Sequence, residues 1–324
     1  MTTDQEVTLG VPVYRGADFV AEALRSIQQQ THRQLRVLVS VDGPDDSDSE
    51  EAVRPFLDDS RFRMVVQPRN LGWARNISWL MDQVESPFWC YQQQDDLLEP
   101  RYLEALLAHA REAPEASIVY CDMERFGTKS GTITQKSLMG SAFTRQLTQM
   151  TERWAAVAFR GLTRLEAVRG AGGVPTNEAD CYSCDTAWVA AAARYGEHHR
   201  LAVPLYRKRF HLENETLRWK AWSTERRAWA WLVHCADMVE QAMVLDIDHA
   251  ERQLLWGAAL VRVLSGRARP SVVPSAGTTS AEREEVLESF LGYLRNQRAI
   301  DLPRLLGVRW RRIRRWAWDF SWAG

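Results

Sequence analysis

Residues 88–102 read Phe-Trp-Cys-Tyr-Gln-Gln-Gln-Asp-Asp-Leu-Leu-Glu-Pro-Arg-Tyr. The apolar run at 88–91, flanked by helical patterns, reads as a buried strand of a parallel sheet. In open α/β sheets, ligands bind beyond the carboxyl ends of the strands. Asp95 and Asp96 stand at that end, where two carboxylates suit a cation or a polar ligand. The competing reading is a helix start, whose dipole favours Asp95, Asp96 and Glu99. Locally, both remain open.

Outward from this stretch the pattern repeats. Apolar strand-like runs at 7–13, 35–41 and 63–66 precede it, and another at 117–123 follows. Helical spacing fills 17–30, 47–57, 71–84 and 100–112. Strands alternating with helices argue for βαβ units and a mainly parallel sheet flanked by helices. Past Glu124 the rhythm fails. Residues 125–150 read as a polar excursion with one or two short strands, and 151–159 and 163–169 as helices closed by Gly170, Gly172 and Gly173. A helix at 185–195 stops at Gly196, and an extended segment at 201–210 ends at His211. From about 221 the chain reads as helical, interrupted by a Pro/Ser/Thr-rich linker at 266–280. The expected division is 1–216 and 217–324.

Composition narrows the function. The chain has 324 residues, 45% hydrophobic and 26% charged, so it can bury a substantial core and is not a disordered chain. A net charge of -1 gives no global attraction to nucleic acid. Cys90 and Cys121 lie in apolar runs and read as core thiols. Cys181 and Cys184 form a CxxC with no second pair to complete a zinc site. There is no leader-like N-terminus and no apolar stretch of ~20 residues to span a membrane. A cytoplasmic location is expected.

Seven motifs stand in a consistent order: VPVY (11–14), VDG (41–43), NLGWARN (70–76), QQDDLLEPRYLE (93–104), FRGLTRLEAVRGAGG (159–173), the helix beginning at Asp185, and PLYRKRFHLENET (204–216). In that order and spacing, the chain resembles the family 2 inverting glycosyltransferases of GT-A fold over about residues 7–216. The resemblance implies that Pro12, Tyr14 and Asp42 hold the base of a nucleotide sugar. It places Asn70, Arg75, Gln93 and Gln94 on the nucleotide as well. It also implies Mg²⁺ or Mn²⁺ at Asp95, with His211 meeting the metal or the diphosphate, because a leaving diphosphate needs its charge neutralised. Asp185 aligns with the catalytic base, which takes the proton of the acceptor hydroxyl. Asp180 and Glu178 are nearby alternates. Two family acids are replaced, by Gln93 and Cys184, and this motivates the alternative of a weak or inactive nucleotide-sugar-binding scaffold.

The expected reaction moves a sugar from a nucleoside-diphosphate donor, UDP by preference, to a hydroxyl of a glycan or lipid-linked acceptor. Most of the 14 tryptophans lie past residue 150. Trp219, Trp222, Trp229, Trp231 and Trp256 read as helix-packing residues. At 304–324, Arg309, Arg311, Arg312, Arg314 and Arg315 alternate with Trp310, Ile313, Trp316 and Trp318. This pattern suits peripheral contact with the inner face of an anionic membrane. The lack of a nucleic-acid-binding motif argues against nucleic acid.

Overall fold

The computed structural model describes residues 5–152, 156–211, 215–264 and 280–305. In chain order the elements begin with β1 (Val7–Val13), α1 (Ala17–Gln28), β2 (Leu35–Val41), α2 (Ser47–Val53), β3 (Phe62–Val66), α3 (Trp73–Asp82) and β4 (Phe88–Tyr91). Next come β5 (Leu97–Leu98), α4 (Tyr102–Glu112), β6 (Ala116–Gly127), β7 (Gly131–Ile133), α5 (Ala142–Thr151), β8 (Leu162–Arg164), α6 (Leu165–Ala171), α7 (Cys184–Ala192) and β9 (Glu197–Phe210). The remaining elements of the described residues are helices: α8 (Glu215–Lys220), α9 (Thr224–Met243), α10 (His249–Leu264), α11 (Ser280–Gln297) and α12 (Leu302–Leu305). The chain divides into two compact units. One comprises 1–139, 155–176 and 184–212, and the other 140–154, 177–183 and 213–324.

The first unit holds one mixed sheet in the order β3-β2-β1-β4-β8-β6-β9-β5, with β7 paired to β6. The half nearest the N-terminus is parallel, as the βαβ rhythm requires, with Val11 beside Val39 and Val7 beside Phe88. Beyond β4 the short strands β8 and β5 run antiparallel to their neighbours, while β6 and β9 pair in parallel. All seven residues of β1 are buried, the continuous apolar run of a central strand. Cys90 and Cys121 are buried, and burial pushes both thiols up to about 12.

The structure corrects several expectations. Leu97 and Leu98 pair with β9 and helix α4 starts only at Tyr102, so Asp95 and Asp96 do not begin a helix. The 125–150 segment contains α5, whose Ser141 hydroxyl caps the first turn by accepting from the Thr144 N–H at 3.1 Å. Its polar composition hid that helix. Residues 157–160 form a 3-10 turn rather than part of a helix, and Thr163 lies in β8. Strand β9 starts at Glu197, not at 201, because His198 and His199 pair with Ile118 and Val119 of β6.

In the second unit Trp231, Trp256 and Phe290 are buried, whereas Trp229 is exposed. Buried Arg262 donates to the Gln149 carbonyl at 2.7 Å and so caps the C-terminal end of α5. Arg298 holds Asp237 and Glu240 at 2.8 Å each. Among the described residues no helix is long and apolar enough to cross a membrane. Nearly all of the 266–280 linker and of the basic tail lies outside the described residues.

The β1–β4 contact that carries the site depends on one glycine. A Cβ at Gly10 would lie 2.1 Å from the ring of buried Trp89. Gly10→Ala should therefore cost about 1–3 kcal/mol through overpacking. The measurement is urea unfolding, where the midpoint should fall with an unchanged m-value.

Candidate active site

The turn after β4 is organised by its own side chains. Its three glutamines point three ways. Gln92 is buried and donates to the Asp96 carbonyl at 2.8 Å, which closes the turn. Gln93 accepts at Oε1 from Arg160 at 3.1 Å and from the Tyr91 hydroxyl at 3.4 Å. Gln94 accepts from the Tyr14 N–H at 2.8 Å and donates to the Tyr14 carbonyl at 3.0 Å, fixing the β1–α1 loop.

The two aspartates divide the work. Asp96 is 1% exposed. Its Oδ2 accepts from the Tyr206 hydroxyl and its Oδ1 from the Arg209 N–H, both at 2.8 Å, with Arg160 Nε at 3.6 Å. Burial and neighbouring Asp95 push its carboxyl up, against the pull of Arg160. Asp95 is buried too, but only one of its carboxylate oxygens is engaged: Oδ2 lies 2.9 Å from His211 Nε2. Oδ1 is buried and has no hydrogen-bond partner among the described residues. A carboxylate oxygen stranded in this way is costly unless a cation or donor reaches it. One hard oxygen donor beside an imidazole fits a divalent cation whose remaining positions are filled by ligand and water.

Around this pair, Asp42 is 2% exposed and accepts from the N–H groups of Leu71 and Gly72 at 2.7 and 3.0 Å. Burial raises its carboxyl, and those two N–H groups oppose the rise. Asp42 thus holds the loop that carries Asn70, which is exposed. Arg75 is also exposed, in the first turn of α3, while its neighbour Asn76 is buried and bonded to Ser40 of β2. Pro12 is buried in β1, and Tyr14 is 37% exposed at its end.

An aromatic cluster ties these parts to α7. The rings of Tyr91 and Trp73 lie 5.0 and 5.8 Å from that of Phe159, which meets Trp188 edge-on at 5.3 Å. Trp188 Nε1 donates to the Gly172 carbonyl at 2.8 Å. Asp185 stands three residues earlier, on the same side of α7, and its Oδ1 accepts from the Thr186 N–H at 2.8 Å. Before this helix Asp180, Cys181 and Ser183 all have positive φ, a strained approach for non-glycine residues. The alternates Asp180 and Glu178 are committed within the second unit, Asp180 to Arg226 and Glu178 to Arg298 and Tyr293.

Sequence reasoning missed Arg160, Tyr206, Lys208 and Arg209 as members of this cluster. An arginine inside the apolar run before Gly161 was a usable signal, because a lone charge there must find a buried partner. Lys208 is half-buried. Its ammonium is lowered to about 8, first by the Arg160 charge and then by burial, although Asp96, Asp185 and Asp95 pull it upward.

Comparison with known proteins identifies the family and the fold. The family model for glycosyl transferase family 2 matches residues 8–170. EpsH of Bacillus subtilis, a glycosyltransferase by name, is 28% identical over 117 residues, 36% of this chain. That match spans only 33% of EpsH. Among solved structures, S. aureus TarS 1–349 in complex with UDP-GlcNAc superposes with a TM-score of 0.65 at 14% identity, over 98% of this chain and 88% of that one. The mannosyltransferase PcManGT of Pyrobaculum calidifontis, with GDP-Man and Mn²⁺, does so with a TM-score of 0.53 at 14% identity, over 98% and 86%. At such identities the superpositions show a shared fold, GT-A.

The crowding at Lys208 has a measurable consequence. Its pKa is about 8 in the folded chain against an ordinary 10.5. Between those values the unfolded chain binds the extra proton, so this group makes stability rise with pH. Unfolding of the parent and of Lys208→Met, compared at about pH 7 and about pH 10, should show a smaller stability gain in the variant.

Proposed function

The chain belongs to glycosyl transferase family 2, and we propose that it transfers a sugar from a UDP-sugar to a hydroxyl of a glycan or lipid-linked acceptor, with inversion. The observation that carries this reading is Asp95: a buried carboxylate with one oxygen beside His211 and the other unpartnered, at the carboxyl edge of the sheet. Asp95 and His211 would hold Mg²⁺ or Mn²⁺, which neutralises charge on a departing diphosphate. The choice of UDP leans on the closer superposition with TarS, whose complex contains UDP-GlcNAc.

The side-chain contacts support the remaining roles. Tyr14, braced by Gln94, and the Asn70 loop, braced by Asp42, bracket the nucleotide. Gln93 turns its carbonyl to Arg160, which leaves its amide N–H groups as donors to a ribose or sugar hydroxyl. Thr186 holds Oδ1 of Asp185, so Oδ2 takes the acceptor's proton. The acceptor oxygen then forms its bond to the anomeric carbon on the face opposite the diphosphate, whose C–O bond breaks. The basic, Trp-rich 304–324 segment would bring the enzyme to an anionic membrane bearing a lipid-linked acceptor.

Calorimetric titration with UDP, GDP and UDP-sugars, with and without Mn²⁺, tests the assignment. Metal-dependent UDP binding should be lost in Asp95→Ala and weakened in His211→Ala. Asp185→Asn should keep donor binding and lose about 10²–10⁴-fold in turnover. Equal turnover in a folded Asp185→Asn variant would remove Asp185 as the base. Donor binding by the parent without turnover on any acceptor would favour a non-catalytic scaffold.

A further inference from the structure

Three cations converge on the ring of Phe210, one residue before His211. Lys129 Nζ lies 4.8 Å from the ring centroid, Lys208 Nζ 5.8 Å and Arg125 Cζ 5.9 Å. They come from two elements that the backbone clamps together. Lys208 pairs in register with Arg125, and Phe210 with Gly127. The Thr128 N–H and hydroxyl both donate to the Phe210 carbonyl, at 2.8 and 3.0 Å. Gly127 makes that approach possible: its φ is +89°, and a Cβ there would meet the Phe210 oxygen at 2.4 Å. The clamp holds Lys129, at the tip of the β6–β7 hairpin, over the ring.

These charges differ from their neighbours on β9. Arg207 is paired with Glu124 and Glu99, and Arg209 with Glu22. Among the described residues, Arg125, Lys129 and Lys208 have no carboxylate in ion-pair contact. Arg125 Nε is buried without an acceptor. Strand alternation puts Lys208 and Phe210 on the same side of β9 as Tyr206, whose hydroxyl holds Asp96. The low proton affinity of Lys208, set first by Arg160, shows how much like charge is gathered here. Like charges gathered around one ring repel, and a bound anion relieves that repulsion.

We infer that Arg125, Lys129 and Lys208 form a phosphate-binding subsite around Phe210, the residue before His211. It takes a phosphoryl group, supplied either by the donor's diphosphate or by a phosphate-bearing acceptor. The proposal rests on the nucleotide-sugar reading for its ligand, but its anion chemistry stands on these residues alone. Negatively charged phosphoryl oxygens match ammonium and guanidinium donors that converge from β6, β9 and the β6–β7 loop.

The test titrates inorganic phosphate, and separately UDP with Mn²⁺, into the parent, Lys129→Glu, Lys208→Gln and Lys208→Arg. Lys129 is exposed in a loop, so its variant should fold normally. Phosphate binding should weaken about tenfold or more in the first two variants, as expected for loss of a charge-assisted contact. It should persist in Lys208→Arg. If UDP affinity falls by the same factor, the subsite holds the donor diphosphate. If UDP affinity is unchanged while phosphate affinity falls, it holds an acceptor phosphate. Phosphate binding that is absent in the parent, or equal in all four proteins, overturns the proposal and means an adventitious ion only. If UDP fails to bind the parent while phosphate responds to the variants, the nucleotide reading fails and the subsite stands.

Discussion

The rest of the site depends on the buried carboxylate of Asp96. Removing a carboxylate from water costs several kcal/mol unless hydrogen bonds replace the lost hydration. Here the replacements come from β9: the Tyr206 hydroxyl and the Arg209 N–H, more than 100 residues further along the chain. That bond set locks the turn after β4 to the last strand of the sheet. Asp95 and His211, 116 positions apart, are brought to 2.9 Å as a consequence. The geometry of this edge follows from that latch.

Electrostatic balance extends from the same point. Arg160 is buried beneath the turn, where it donates to Gln93 and faces Asp96. An arginine there compensates Asp96 and at the same time depresses Lys208. The neutral Gln93 is consistent with this balance, since it accepts from Arg160 without adding a third charge beside Asp95 and Asp96. The aromatic stack of Trp73, Tyr91, Phe159 and Trp188 carries rigidity from this turn to the helix bearing Asp185. Tight packing of large rings allows little independent movement.

Much of the parallel half of the fold was legible because its signals are local. The apolar runs of β1, β2 and β4 and the turn at Asp42-Gly43-Pro44 declare themselves within a few residues. The family 2 resemblance rested on seven short motifs, and the family match over residues 8–170 agrees with it. Helix α5 was not legible, since its sequence is polar and its C-terminal end is capped by Arg262, distant in the chain. The start of β9 was not legible either, because His198 and His199 become strand residues only by pairing with β6. Two histidines and an arginine carry little strand signal of their own.

The candidate site divides the same way. By itself the sequence put Asp95 and Asp96 at the carboxyl end of a strand in an α/β sheet, because strand-and-turn patterns are local, and the family 2 resemblance added the glutamines and His211. Tertiary structure alone decided their jobs. It made Asp96 a latch and left an oxygen of Asp95 unpartnered, and it turned the three adjacent glutamines toward three different partners. The physical reason is distance along the chain. Each side chain's role is set by which donor, acceptor or charge fills the space beside it, and those neighbours come from segments dozens to more than a hundred residues away.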